Sequence, residues 1–215
     1  MTGQSTGELL TQAAGSAGVR DRRVLEAMGA VRREGFVPAE YADAAGRDEP
    51  IPIPYGQVTT QPSLSARMIE ALRLNPGDRV LEIGTGYGYQ TALLARLASF
   101  IISVERHRAL ADQARANFAE QQVTNVRVFV GDGTEGIEAY APYDAVLVSA
   151  AFPQVPVPLV EQLRSGGRLV QPIGSGGEDM VTLFERQPHG LIELARVVPA
   201  RFVRLYGSYA YPRTD

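Results

Sequence analysis

The chain has 215 residues, 45% of them hydrophobic, and a formal net charge of -3. This length suits one α/β domain with an accessory segment, and the apolar fraction can build a sizeable core. Like charges do not cluster, which argues against a nucleic-acid or anionic-membrane surface. With no cysteine and two histidines, the chain cannot form disulfides, thiolate zinc sites, cysteine nucleophiles or histidine-rich metal sites.

Membrane and secretion signals are not expected. No apolar run reaches the ~18 residues that a transmembrane helix needs. The N-terminus "MTGQSTGELLTQAAG" lacks the basic and apolar regions of a signal peptide. These features predict a soluble cytoplasmic protein, taken here as a monomer.

The first part of the chain predicts short helices. Residues 1–18 are rich in small and polar residues and should fray before a short helix near "GELLTQAAGSAG". "DRRVLEAMGAV" has helical spacing of apolar residues behind Asp21, a plausible N-cap. Pro38 precedes another short helix, and we expect Arg32 and Arg33 on a solvated helix face.

The segment "PIPYGQVTTQP", residues 52–62, is too rich in proline for a helix interior and too polar for a buried strand. Pro62 then opens a helix, "SLSARMIEALRL". The irregular segment is therefore either a linker or part of a site.

From residue 79 onward, strands and helices alternate. Strands are predicted at 79–84, 100–105, 126–132, 143–151 and 167–174. They are almost continuously apolar, which indicates a parallel sheet covered by helices on both faces. Two further strands, 179–186 and 200–207, are expected to pair as an antiparallel hairpin through "QPHG". The predicted fold is α/β and Rossmann-like: a seven-stranded, mostly parallel sheet ending in an antiparallel hairpin, with an N-terminal helical cap.

A glycine-rich turn, "GTGYG" at 84–88, lies between the first strand and its helix. Glycines there let the backbone turn sharply and approach a ligand. Glu105 ends the next strand, where a carboxylate can bind a ribose diol, and Asp132 ends the third, where it could contact an adenine amino group. Together these residues predict an adenosine ligand.

The type of adenosine ligand follows from two details. Dinucleotide sites have G-x-G-x-x-G, whereas Tyr89 stands at the sixth position here. Glu82, just before the loop, suits a cationic ligand better than a pyrophosphate. Both details favour S-adenosylmethionine, with hydride transfer by a dehydrogenase as a disfavoured alternative.

The chain resembles the protein-L-isoaspartate O-methyltransferases from about residue 20 to about residue 207. The resemblance is carried by "RVLEIGTGYGYQTALLARL", "VGDGTEG", "YDAVLVSAA" and "LRSGGRLVQPIG", and above all by "VRREGFVPAEYADAAGRDEPIPIPYGQVTTQP". It implies an S-adenosylmethionine-dependent methyltransferase fold. It also implies methylation of the free carboxyl of L-isoaspartyl residues, and of D-aspartyl residues less well, in damaged proteins. The ester then collapses to a succinimide, which starts repair.

The resemblance also implies roles for individual residues. "GQVTTQP" would be an active-site lid, with Thr60 in the place of the active-site serine, and Gly84 to Gly88 would line the methionine moiety. The implied cofactor-binding residues are Thr59, Glu82, Gly84, Thr85, Gly86, Tyr87, Gly88, Glu105, Asp132 and Gly133. The implied substrate-binding residues are Val58, Gln61, Pro62 and Arg204. No metal ligand is implied.

Some positions depart from the family pattern. Val58 replaces a common threonine, Thr60 replaces the serine, and "RFVRLYG" carries Arg204 and Tyr206 where the family often has proline and valine. These changes leave open a related methyltransferase with another carboxyl or hydroxyl acceptor, and, less strongly, a non-catalytic cofactor-binding protein.

We expect a cap and lid over 1–62 and a methyltransferase domain over 63–215, forming one compact unit. Its partners would be isoaspartyl proteins or peptides, without nucleic acid or membrane.

Overall fold

The structure, a computed structural model, describes residues 4–212. Its first part, here called the cap, consists of two α-helices and two 3-10 helices: α1 Thr6–Ser16, α2 Arg22–Ala30, Arg33–Phe36 and Ala39–Ala44. As predicted, Asp21 caps α2, and its carboxylate accepts a hydrogen bond from the backbone N–H of Arg23. The helix after Pro38 forms as a 3-10 helix. Part of the expected fraying falls on residues 1–3, outside the described residues.

The proline-rich segment forms a β-hairpin, β1 Ile51–Ile53 and β2 Gln57–Thr59. The interpretation of this segment as irregular was therefore wrong. Pro52 is tolerated because this two-stranded ribbon has free edges, where a missing N–H costs no ladder hydrogen bond. Tyr55 and Gly56 form the turn, each with a φ of 65°, a left-handed conformation typical of tight hairpins.

The rest of the chain forms the predicted seven-stranded sheet. After the hairpin come α3 Pro62–Leu72, β3 Arg79–Ile83, α4 Tyr89–Ala95, β4 Phe100–Glu105, α5 Arg108–Glu120, β5 Val126–Val130, β6 Tyr143–Val148, α6 Val157–Glu161, β7 Leu163–Ile173, β8 Asp179–Gln187 and β9 Gly190–Ala200. The strand order is β5-β4-β3-β6-β7-β8-β9. Strands β3 to β7 pair in parallel, and β8 pairs antiparallel with both neighbours. From β3, the strand order runs one way across the sheet to β4 and β5, and from β6 it runs the other way to β7, β8 and β9. The order therefore switches between β3 and β6, and ligands bind at such switch points.

The position of the last strand was predicted wrongly. It spans Gly190–Ala200 rather than 200–207. β9 is an edge strand with many exposed residues, so charged side chains interrupt its apolar pattern and conceal it in the sequence. The segment 201–207 instead runs beside Ala151, whose N–H donates to the Val203 carbonyl and whose carbonyl accepts from the Leu205 N–H, both at 2.8 Å.

The cap and the sheet share one hydrophobic core. Leu10 and Met28 of the cap belong to the same buried cluster as Leu93 of α4. Phe36 bridges the two parts, because its ring lies 6.3 Å from the ring of Tyr89 and 6.0 Å from that of Phe118. Burial of these surfaces stabilises the cap against the sheet.

Arg33 is completely buried, contrary to the expectation of a solvated face. Its guanidinium donates to three backbone carbonyls, those of Ala45, Arg47 and Glu49, at 2.7–3.2 Å. It also donates to the Thr59 hydroxyl at 3.1 Å, which ties the cap to the hairpin. Burial lowers the pKa of Arg33, while Tyr89 and Asp48 oppose this. Planar, five-donor arginine suits such a position because its donors satisfy several acceptors at once.

We expect Arg33→Met to lower the free energy of unfolding by about 3 kcal/mol, because four acceptors lose their donor inside the protein. Denaturant titration followed by circular dichroism measures the change. Arg32→Met is the matched control, since Arg32 is exposed, and it should change stability by less than about 0.5 kcal/mol. Equal stability of the two variants would contradict this role for Arg33.

Candidate active site

A cavity lies at the carboxyl ends of β3 and β4, beneath the hairpin. The hairpin and the residue after it supply one wall: Ile53, Gln57, Val58, Thr59 and Thr60. The glycine loop and the start of α4 supply the opposite wall: Gly84, Thr85, Gly86, Tyr87, Gly88, Tyr89 and Gln90. Ser65, Glu105, Leu110, Ser149 and Val203 complete the lining. We call this space the loop cavity.

The glycine loop needs its glycines for its shape. Gly84, Gly86 and Gly88 have φ values of 97°, 55° and 97°, in the left-handed region. At Gly88 a side chain is also excluded by space, because a Cβ atom would lie 2.6 Å from ring carbons of Phe118. The loop therefore presents backbone to the cavity, as the sequence predicted.

Glu105 lies at the end of β4, lines the loop cavity and is almost fully buried. Its Oε2 accepts a hydrogen bond from the backbone N–H of Gly86 at 3.0 Å, and its Oε1 accepts from that of His107 at 2.9 Å. These two bonds fix the carboxylate. Each oxygen retains further acceptor capacity for a ligand hydroxyl.

Glu82 lies beneath the loop and is completely buried, so it does not line the cavity. Its carboxylate accepts three side-chain hydrogen bonds, from Gln90 Nε2 at 3.0 Å, Thr91 Oγ1 at 2.5 Å and Ser103 Oγ at 2.7 Å. Burial raises its pKa to about 7, although the three donors oppose the shift. Glu82 thus organises the residues around the loop.

Gln90 is a site residue that sequence reasoning missed. Its Nε2 donates to Glu82 and also to Ser149 Oγ, at 2.7 Å. Its Oε1 is buried at the loop cavity and has no hydrogen-bond partner among residues 4–212. An unpaired buried amide oxygen is costly unless a ligand donates to it. A glutamine on the first buried turn of α4 was the available signal.

A second cavity adjoins the first and opens between the hairpin, the start of α3 and the segment after β9. We call it the outer cavity; its lining is Pro50, Val58, Thr60, Gln61, Leu64, Ser149, Pro199, Ala200, Arg201, Phe202 and Val203. Four residues line both cavities: Val58, Thr60, Ser149 and Val203. These four, here called the junction, mark where a group in one cavity would meet a group in the other.

The predicted lid residues differ in their contacts. The Thr59 hydroxyl is buried and accepts from Arg33 and from the backbone N–H of Ile51. The Thr60 side chain has no hydrogen bond to any described residue. Gln61 Nε2 donates to Asp48 at 2.9 Å and borders the outer cavity.

The two other predicted lid residues, Val58 and Pro62, differ in their exposure to solvent. Val58 is 48% exposed at the junction. Pro62 is buried as the first residue of α3, where its missing N–H leaves no hydrogen bond unmade. It lines neither cavity.

Besides Glu82 and Pro62, three further predicted site residues lie outside both cavities. Asp132 accepts hydrogen bonds from the Thr134 N–H and hydroxyl and from the backbone N–H of Ser208. Burial would raise its pKa, but these bonds lower it. Gly133 packs so closely on β3 that a Cβ atom would lie 2.4 Å from a methyl carbon of Ile83. Arg204 Nε donates to the Ser175 carbonyl at 2.9 Å.

The tip of the hairpin contacts the start of α5. The rings of Tyr55 and His107 stack with centroids 4.5 Å apart and planes at 6°. Burial lowers the pKa of His107, while Glu105 opposes this and Arg106 adds to it. The stack holds the hairpin over the loop cavity. This contact could not be predicted from the sequence, because its two residues are far apart in the chain.

Neither a metal-binding cluster nor a membrane-spanning helix is found among the described residues. Within residues 4–212, no group of three or more His, Asp or Glu side chains is arranged to hold a metal ion. In the same range, no helix has the length and hydropathy of a membrane span.

Glu82→Gln should remove a pH-dependent part of the stability. Its carboxyl has an ordinary pKa of 4.5 that is raised to about 7 in the folded chain. Its favourable contribution is therefore complete below about pH 4.5 and is lost as the pH rises through about 7. The quantity to compare is the free energy of unfolding of the unmodified chain minus that of Glu82→Gln. This difference should fall by about 2–3 kcal/mol between pH 4.5 and pH 8. Urea titrations of both proteins at several pH values measure this difference. A difference that does not change with pH would contradict the prediction.

The comparisons with known proteins agree on one family. Residues 4–210 match the family model described as protein-L-isoaspartate(D-aspartate) O-methyltransferase. A protein-L-isoaspartate O-methyltransferase of Methanoregula boonei is 48% identical over 194 residues, covering 90% of this chain and 89% of that protein. Its counterpart in Koribacter versatilis is 45% identical over 194 residues, covering 90% of this chain and 87% of that protein.

Solved structures share the fold. One protein-L-isoaspartate O-methyltransferase structure, 28% identical, superposes with a TM-score of 0.83 over 95% of this chain and 67% of that one. A Plasmodium falciparum structure, described as a beta-aspartate methyltransferase in complex with S-adenosyl-L-homocysteine, is 22% identical, with a TM-score of 0.79 over 95% of this chain and 99% of that one. The second likeness speaks for the fold alone. Taken with the family match and the two close relatives, the glycine loop, the acidic strand ends and the overlying hairpin place this chain in the protein-L-isoaspartate(D-aspartate) O-methyltransferase family.

Proposed function

We propose that this chain transfers a methyl group from S-adenosylmethionine to the free carboxyl of L-isoaspartyl residues in damaged proteins, which starts their repair through a succinimide. The observation that carries the proposal is the junction. There, the loop cavity, with its glycine loop and Glu105, meets the outer cavity.

The residues that line the loop cavity suit S-adenosylmethionine, which supplies a methyl group on a sulfonium when it is bound. Gln90 Oε1, buried without a partner among the described residues, would accept a hydrogen bond from the ligand's ammonium group. The Glu105 carboxylate, held by Gly86 and His107, would accept from the ribose hydroxyls. Thr85, Tyr87 and the loop glycines would line the methionine moiety, with Thr59 closing the cavity from the hairpin side.

Glu82 and the end of β5 have supporting roles in the proposal. Glu82 would hold Gln90 in place from beneath the loop rather than touch the ligand. Asp132 and Gly133 are assigned to the adenine end, because β5 ends beside β4 in the sheet. Since both Asp132 oxygens already accept bonds from the protein, a contact with adenine would add to or replace one of them.

The acceptor would enter through the outer cavity, bordered by Val58 and Gln61. A carboxylate has an ordinary pKa near ~4 and is already ionised and nucleophilic at neutral pH. The chain therefore needs no general base, and its contribution is to hold the two reacting groups in line. Thr60 would donate its hydroxyl proton to the acceptor carboxylate. Pro62 would fix Thr60 by starting α3 two residues later, and Arg204 would position the segment after β9 through Ser175.

We propose a cytoplasmic monomer that acts on proteins or peptides and binds neither nucleic acid nor membrane, which the modest net charge of -3 supports. We further propose that residues 1–62 serve as cap and lid for a methyltransferase domain over 63–215. The shared core of Leu10, Phe36 and Leu93 supports a single compact unit.

The direct test is transfer of a labelled methyl group from S-adenosylmethionine to a short L-isoaspartyl peptide, with the same peptide carrying normal L-aspartate as the control. Base-labile label should appear on the isoaspartyl peptide alone. Thr60→Ala should lower kcat/KM by about 10–100-fold, because a hydrogen bond to a charged group is lost. Thr124→Ala, at an exposed position, is the matched control. A chain that binds S-adenosylhomocysteine yet labels neither peptide would contradict the proposal.

The stack of Tyr55 on His107 generates a separate prediction about the lid. Tyr55→Ala should raise the Kd for S-adenosylhomocysteine about five- to tenfold, because the loss of an aromatic pair of about 1 kcal/mol lets the hairpin open more often. Isothermal titration calorimetry measures the Kd. Tyr55→Phe keeps the ring and should bind like the unmodified chain, so equal weakening by both variants would show that the stack is not the cause.

A further inference from the structure

Resting on the proposed function, we propose that Ser149 is a second hydroxyl donor to the acceptor carboxylate, positioned by Gln90. This serine belongs to the motif "YDAVLVSAA", but the resemblance implied no role for it. It would act from the sheet side of the junction, opposite Thr60 on the hairpin side.

Ser149 directly follows β6, at the edge of the sheet where the chain order reverses between β3 and β6. Its backbone N–H donates to the Ile83 carbonyl at 2.9 Å, which anchors it beside the glycine loop. Its Cβ lies 3.4 Å from the point where a Cβ on Gly84 would stand. The backbone position of Ser149 is thus fixed by two strands, and its side chain borders both cavities.

The hydrogen bonds of Gln90 decide what the Ser149 hydroxyl can do. The amide nitrogen of Gln90 donates both to Ser149 Oγ, at 2.7 Å, and to Glu82 Oε1, at 3.0 Å. When Glu82 is ionised, its Oε1 accepts from the amide N–H, which holds the amide nitrogen toward Ser149. Ser149 Oγ is therefore an acceptor in this bond, and its own proton is free to be donated elsewhere.

That proton can be donated to an acceptor carboxylate bound at the junction. Val58 and Val203, the other two junction residues besides Thr60, have no side-chain polar atom. A carboxylate has two oxygens with several acceptor sites, so it can take one hydroxyl proton from each side. The only charged side chain among the described residues that line the outer cavity is Arg201, which is exposed to solvent and does not line the junction. Two hydroxyls from opposite walls would fix the orientation of the attacking oxygen, which is the main source of rate here.

Ser149→Ala removes the hydroxyl and keeps the Cβ that packs against the loop. We expect kcat/KM for the isoaspartyl peptide to fall by at least about tenfold, as for loss of a hydrogen bond to a charged group. The Kd for S-adenosylhomocysteine, measured by calorimetry, should stay within about twofold. Ser149→Thr retains a hydroxyl and should keep kcat/KM within about threefold of the unmodified chain.

The kcat/KM and the Kd together distinguish a hydroxyl that donates to the substrate from one that only bonds Gln90. If the hydroxyl merely satisfies Gln90, Ser149→Ala will weaken S-adenosylhomocysteine binding as much as it lowers kcat/KM, and the inference is overturned. An active unmodified chain whose Ser149→Ala variant keeps its kcat/KM also overturns the inference but leaves the proposed function standing. An unmodified chain that binds S-adenosylhomocysteine and methylates no isoaspartyl peptide overturns both.

Discussion

The site depends on one buried carboxyl group. Glu82 receives hydrogen bonds from α4 through Gln90 and Thr91, and from β4 through Ser103. Ser103 in turn bonds the Thr85 hydroxyl of the glycine loop at 2.6 Å. Burial of a carboxyl without water is costly, and these donors offset the cost while holding the loop, the helix and two strands in one arrangement. The orientation of Gln90, and with it the polarity of the cavity wall, follows from this group.

The other wall depends on Arg33, at the opposite side of the cavity. Its buried guanidinium joins the backbone carbonyls of the cap to the Thr59 hydroxyl in the hairpin. The hairpin is short, and a two-stranded ribbon has little stability of its own. Arg33 at its base and the stack of Tyr55 on His107 at its tip therefore keep it over the loop cavity. Thr60, directly after β2, owes its place at the junction to both contacts.

Much of this architecture could be predicted from the sequence, because parallel strands are almost continuously apolar and the glycine loop has a recognisable spacing. Glu105 and Gly84 to Gly88 line the loop cavity, and their contacts with a cofactor stay predictions. The hairpin was missed because its prolines and polar residues lie on a ribbon with free edges, and β9 was missed because an edge strand exposes many of its residues. Arg33, Gln90 and Ser149 were missed for another reason. Their importance comes from partners distant in the sequence, such as Thr59 for Arg33 and Glu82 for Gln90, and single-sequence patterns carry no information on such pairs.

In the proposed function, the acceptor carboxyl meets the methyl donor at the junction of the two cavities. A crystal structure of the chain with S-adenosylhomocysteine and an L-isoaspartyl peptide tests this most directly. We expect the cofactor product in the loop cavity with its ribose on Glu105, and the isoaspartyl carboxylate within hydrogen-bond distance of the Thr60 hydroxyl. A carboxylate bound away from Thr60, or a cofactor product bound outside the loop cavity, would contradict it.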